Sequence, residues 1–248
     1  MKIINNKQEA IQELNRISTR TNVENNNEIN EVVEKILQEV KTYGDVAVEK
    51  YTRKFDGFNP NPMQVDANDL KKAWDEIDSN LKHSLKLAQN RIKKFHEKEI
   101  PSSFTIEGEH GDKVQRRWKP VKRAGIYIPG GRAAYPSTVL MNAIPASVAG
   151  VGEIIMVSPG NNEGKINKTV LAAAHLSGIN KVFRIGGAQA IGALAFGTNQ
   201  INKVDVISGP GNIYVTTAKK LIYGSTGIDS LAGPSEILII ADETAQST

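Results

Sequence analysis

The sequence predicts an α/β protein, with a helical first part and a second part built on a parallel sheet. Three observations carry this. In the first hundred residues apolar side chains recur at helical spacing. From about Arg123, β-rich runs alternate with Ala-rich segments at roughly 25–30 residues per unit, as parallel strands with crossover helices require. Most of the strand-like runs also end in glycine-rich loops, where sheets of this kind bind their ligands.

Taken in order, NEINEVVEKILQEVKTYGD places Ile29, Val32, Val33, Ile36, Leu37 and Val40 on one helical face. The Asn-rich TNVENNNE before it reads as a connection between helices. Gly44 supplies a left-handed stop, and Asp45 is placed to cap the next helix, DVAVEKYTRKF. A third helix is expected from about Asp69 to Glu97, with Ile77, Leu81, Leu85, Ala88, Ile92 and Phe95 on one side. Pro101-Ser-Ser closes this half, which shows no motif for chemistry; its His83 and His96 stand among lysines and read as surface residues.

The strands then follow as AGIYIP, EIIMVSP, NKVFRIGG, VDVISGPG and EILIIAD. The helices between them are STVLMNAIPASVAG, INKTVLAAAHLSG, AQAIGALAFG and NIYVTTAKKLIYG, apolar nearly all round and so expected to pack closely on the sheet. His175, mid-helix, reads as a packing or surface residue. The last strand, Ile237–Ile240, is four branched aliphatics in a row, which calls for neighbours on both sides and cover on both faces.

Composition removes several functions. The 248 residues, 40% hydrophobic and 23% charged, suffice for one large domain or two smaller ones. No apolar run approaches the roughly 18 residues of a membrane span, and MKIINNKQEAIQEL lacks the apolar core of a signal peptide. A cytoplasmic protein is expected. There is no cysteine, hence no disulfide, thiolate metal site or cysteine nucleophile. The net charge of +4 is spread through mixed-sign stretches such as KKAWDEIDSNLKHSLK, so no nucleic-acid footprint is read.

Four loops hold the candidate chemistry: IPGGRAAYPS, SPGNNEG, IGGAQAIG and SGPGNIYV. Glycine lets the backbone turn sharply beside a ligand, and the N-terminus of a following helix suits a phosphate. None matches a standard phosphate-loop fingerprint, and each alone reads as a tight turn. Their succession at neighbouring strand ends favours a nucleotide-sized ligand. Tyr127 stands at a strand end, where its ring can stack and its hydroxyl can bond. Gln189 and Asn212 each fall in the first turn of a helix, where an amide either caps the helix or binds a ligand. His110, in GEHGD, is a loop residue with no visible partner.

The runs RAGIYIPGGRAAYPSTVLMNAIPASVAGV, RIGGAQAIGALAFGT, SGPGNIYVTTAKKLIYGSTGID and LAGPSEILIIAD closely resemble histidinol dehydrogenase, in colinear order. VKTYGDVAVEKYTRKFDGF and RIKKFHEKE agree with that family's N-terminal pattern. The resemblance implies an aldehyde-dehydrogenase-like fold. Residues 1–122 would form a helical arm and the first part of domain 1, and residues 123–232 a Rossmann-like nucleotide-binding domain. Residues 233–248 would return to domain 1. It implies oxidation of L-histidinol to L-histidine through histidinal, with NAD as acceptor, in an intertwined homodimer. Tyr127, Gln189 and Asn212 match the family's NAD-contacting positions, and Ser235 of AGPSE a substrate-contacting one. The lack of cysteine fits a family that forms no thiohemiacetal.

The family's zinc ligands begin with a Gln-x-x-His motif after the IIAD strand, and its Glu-His proton-transfer pair comes later; the sequence ends before both. No catalytic or metal-ligating residue is therefore assigned. The chain is expected to resemble an enzyme cut before its catalytic half, and to be inactive alone. The alternative is a non-catalytic dinucleotide-binding or dimer-forming module.

Overall fold

A computed structural model describes residues 3–19, 27–130, 134–231, 239, 241–242 and 244–245. Ser235, most of the strand expected at Ile237–Ile240 and most of TNVENNNE lie outside the described residues.

The chain opens with α1 (Lys7–Thr19), a helix the sequence reading did not single out; the Asn6 side chain accepts a hydrogen bond from Gln8 N at 2.7 Å and so caps it. Helix α2 (Asn27–Tyr43) buries Val33, Ile36, Leu37 and Val40 of the face its periodicity marks, whereas Val32, expected on that face, is 45% exposed. Gly44, at φ +54°, turns the chain directly into α3 (Asp45–Asp56). Asp45 is not the cap expected of it. Only Gly44 separates the two helices, so it occupies the cap position, and Asp45 already lies in the first turn.

The expected third helix is two helices, α4 (Ala67–Glu76) and α5 (Ser79–His96). Ile77 is extended, at ψ 156°, and Asp78 accepts from Asn80 N at 2.8 Å and Leu81 N at 3.3 Å. An aspartate side chain that satisfies two free helix N–H groups favours a restart over continuation. Ile77 is buried, so apolar spacing ran through the break unaltered. The exposed hairpin of β1 (Phe104–Glu107) and β2 (Lys113–Arg116), with His110 in its turn, was not anticipated either.

The second half holds β3 (Arg123–Tyr127), α6 (Pro136–Val148), β4 (Glu153–Val157), α7 (Lys168–Leu176) and β5 (Lys181–Phe183). It continues with α8 (Gly187–Phe196), β6 (Val206–Ser208), α9 (Ile213–Ile222) and β7 (Gly227–Ile228), a strand too short for the apolar pattern to mark. Among the described residues these five strands form one parallel sheet in the order β5-β4-β3-β6-β7. Counted from β3, this is the 3-2-1-4-5 order of doubly wound dinucleotide-binding sheets.

Alternate strand residues build a core on each face. Ile155, Val157, Tyr127 and Ile207 pack with α2, α3, α8 and α9, whereas Ile126, Ile128 and Met156 pack with α4, α5, α6 and α7. Helices from the first half thus lie over the crossover helices on both faces. Gly192 permits the approach of α2 to α8, since a Cβ there would stand 3.2 Å from Leu37 and Val40. The outer edge of β5 is partly covered: Val65 N donates to Val182 O at 2.8 Å and Arg184 N to Met63 O at 2.9 Å.

Candidate functional site

The order of the sheet puts a topological switch point between β3 and β6, whose following helices lie on opposite faces, and ligands of such sheets bind at the carboxyl ends there. Tyr127 is the last residue of β3. Its ring is buried, and its hydroxyl accepts a hydrogen bond from Gly187 N at 3.2 Å, tying the end of β3 to the start of α8. Burial is the main cause that pushes its pKa up to about 12, so the group serves as a neutral phenol.

Gln189 is only 1% exposed, and among the described residues neither Oε1 nor Nε2 has a hydrogen-bond partner. The cap position of α8 belongs to Gly186, and no side chain caps the helix, so the cap reading of Gln189 fails. Asn212 is a cap: its Oδ1 accepts from Val215 N at 3.1 Å at the start of α9. Both residues, with Tyr127, line a cavity of about 340 Å³, together with Asp56, Pro159 and Tyr214. The three residues singled out from separate loops are brought to one place.

A second cavity, of about 600 Å³, shares Phe55, Asp56 and Pro159 with the first. It continues past Gly130 and the loop Ser158–Asn162 to Asn167. Asn167 caps α7, its Oδ1 accepting from Thr169 N at 2.9 Å. The two cavities border one another through the residues they share, and together they form one cleft of mixed polar and apolar lining.

Two functional features escaped the sequence reading. Asp56 closes α3, in the half where no motif for chemistry was seen, yet it lines both cavities. An aspartate before a helix-ending glycine carries no local signal of this, because its placement depends on the packing of α3 over the sheet. The other feature is a buried clamp beneath the β6–α9 loop. Lys219 Nζ donates to Gly209 O at 3.0 Å and to Asp229 Oδ1, while Asp229 Oδ2 accepts from Gly209 N at 2.8 Å. Gly209 adopts φ +113°, and a Cβ there would fall 2.1 Å from Tyr127 O. Only glycine lets this loop press against the end of β3 and deliver Asn212 to the cavity.

The histidines stand elsewhere. His83 and His110 are exposed, His96 pairs with Glu99, and His175 packs beside Trp74 at 6.4 Å between ring centroids. Among the described residues no group of three or more His, Asp or Glu could hold a metal ion, and no helix is long and apolar enough to cross a membrane.

Fold and cleft together define an α/β domain of the doubly wound class, with its cavity where that class takes ligands. Residues 19–248 match the family model for histidinol dehydrogenase. The chain is 86% identical over all 248 residues to a histidinol dehydrogenase of Prochlorococcus marinus strain MIT 9312, covering 56% of that protein. It is 78% identical to the enzyme of P. marinus subsp. pastoris, covering 58% of it. A crystal structure of histidinol dehydrogenase from Elizabethkingia anophelis superposes with a TM-score of 0.81 at 40% identity, over 87% of this chain and 50% of that one. The chain belongs to the histidinol dehydrogenase family. It spans about half the length of the curated relatives it matches.

Proposed function

We propose that this chain carries the NAD-binding part of a histidinol dehydrogenase, which oxidises L-histidinol to L-histidine through histidinal in the last step of histidine biosynthesis. The observation that carries this reading is Gln189, a buried amide with both polar atoms unpaired, facing a cavity at the switch point. Buried polar groups are nearly always satisfied, and an orphaned donor-acceptor pair facing a cavity fits a ligand group that supplies the complement. Tyr127 would stack against or hydrogen-bond the dinucleotide, and Asn212 would present its amide from the α9 cap. NAD, when bound, supplies the hydride acceptor.

Zinc is a different matter. Among the described residues the donors for it are not assembled. Ser235 is assigned to substrate contact by its place in AGPSE. The division at residues 122 and 232 belongs to the same reading, supported by the sheet strands lying between 123 and 228. A homodimer is supported by apolar side chains left exposed on the arm and hairpin, among them Ile11, Leu14, Ile106 and Val114. A cytoplasmic site is supported by the family's biosynthetic role.

The test is NAD binding followed by saturation-transfer NMR. Gln189→Ala and Asn212→Ala are each expected to weaken binding by about 1–3 kcal/mol, the range for loss of a buried polar contact. Unchanged affinity in both variants would refute the assignment.

A further inference from the structure

Among the described residues Asp56 has no hydrogen-bond or ion-pair partner. Its Oδ2 is sealed from solvent and accepts no hydrogen bond, although the residue sits at the border of the two cavities. A half-buried carboxyl without a donor costs stability. At a cavity wall, a ligand that donates hydrogen bonds would supply the missing partner. The carboxyl is raised by burial to about 6, which still leaves it ionised at neutral pH. An ionised carboxylate accepts only, through two oxygens, and a vicinal diol presents two donors at matching spacing.

Topology narrows the ligand group further. In doubly wound dinucleotide-binding domains an acid that follows the second strand takes a ribose hydroxyl. Here the second strand of the sheet is β4, and it runs out into Ser158, Pro159 and Gly160. The only acid of the following loop, Glu163, is exposed and paired with Lys165 at 2.8 Å. Asp56 lines the same cavity as Ser158, Pro159 and Gly160, but reaches it from α3 in the helical layer.

Resting on the NAD reading above, we propose that Asp56 accepts the adenosine ribose hydroxyls of NAD and so disfavours the 2′-phosphorylated dinucleotide. A 2′-phosphate would bring like charge against a carboxylate with no neutralising partner, whereas a diol supplies donors to it.

The experiment titrates NAD and NADP into the wild-type chain and into Asp56→Asn, with a thermal melt of each protein without ligand. Wild type is expected to prefer NAD. Asp56→Asn should lose about tenfold in NAD affinity, as expected for a hydrogen bond to a charged group. It should lose little or nothing for NADP and should melt higher than wild type. A residue retained only for the fold would show the reverse in the melt. NAD affinity indifferent to the substitution, or an equal loss for both dinucleotides with a lower melting temperature, would overturn the proposal alone. Failure of the wild-type chain to bind NAD would overturn the cofactor reading and this proposal with it.

Discussion

Gln189, buried, and half-buried Asp56 both line the cleft, and each holds at least one polar atom out of water with no bonding partner among the described residues. At the residue scale this predicts that removing the polarity stabilises the free chain. Gln189→Met keeps volume and apolar contact while deleting the orphaned amide, and should raise stability by about 1 kcal/mol in denaturant melts. A loss of stability would mean that the amide is satisfied in solution. For Asp56 the prediction is a pH dependence. Its carboxyl rises from an ordinary 3.8 to about 6 on folding, so within that window the folded chain holds a proton that the unfolded chain releases. Stability from this group therefore falls as pH rises from 3.8 to about 6, and stays reduced above. After allowance for solvent screening of a half-buried group, the cost at neutral pH is about 1 kcal/mol. Asp56→Asn should flatten that part of the stability–pH profile; an unchanged slope would place the titration elsewhere.

At the element scale the clamp of Lys219, Asp229 and Gly209 sets the β6–α9 loop. Lys219 is 2% exposed, so its ammonium depends on the Gly209 carbonyl and the Asp229 carboxylate for solvation. Lys219→Met would leave Asp229, partly buried, without its counter-ion. Breaking one side of such a pair costs about 3 kcal/mol, at the low end of the buried range because Asp229 retains some solvent. The expected result is a lower denaturation midpoint together with weaker NAD binding, since the loop also delivers Asn212. A full-strength NAD site in the destabilised variant would show that the clamp serves stability alone. Neither partner was legible as a clamp. Lys219 and Asp229 lie ten positions apart, and the helical pattern of NIYVTTAKKLIYG gives that lysine no distinction from Lys220. Asp78 teaches the same lesson for helix ends, because apolar spacing continued smoothly across a break that one capping carboxylate creates.

For the whole molecule, the helices of the first half cover both faces of the sheet, so the cleft depends on residues from both halves of the chain. Binding and turnover nevertheless separate. Removing a hydrogen as hydride requires a base for the hydroxyl proton, and loss of such a base alone lowers the rate by about 10²–10⁴. Among the described residues no histidine lines either cavity. The 248-residue chain is expected to give no histidinol-dependent NADH, with or without added zinc, in an absorbance assay at high protein concentration. Zinc-dependent turnover by the purified chain would show that the catalytic residues have been misplaced.

The sequence by itself determined the α/β class, four of the five sheet strands with their helices, the family, and the three residues that meet in the cleft. These are local signals: period-2 and period-3.6 apolar patterns, glycine at strand ends, and long motifs in order. Tertiary structure alone decided that Gln189 is an orphaned amide and not a cap, that Asn212 is a cap, and that Asp56 reaches the cleft from another layer. It also decided that Lys219 and Asp229 grip Gly209. The reason is physical: whether a polar atom is satisfied depends on neighbours that folding supplies from distant positions, and no local pattern records which neighbours those will be.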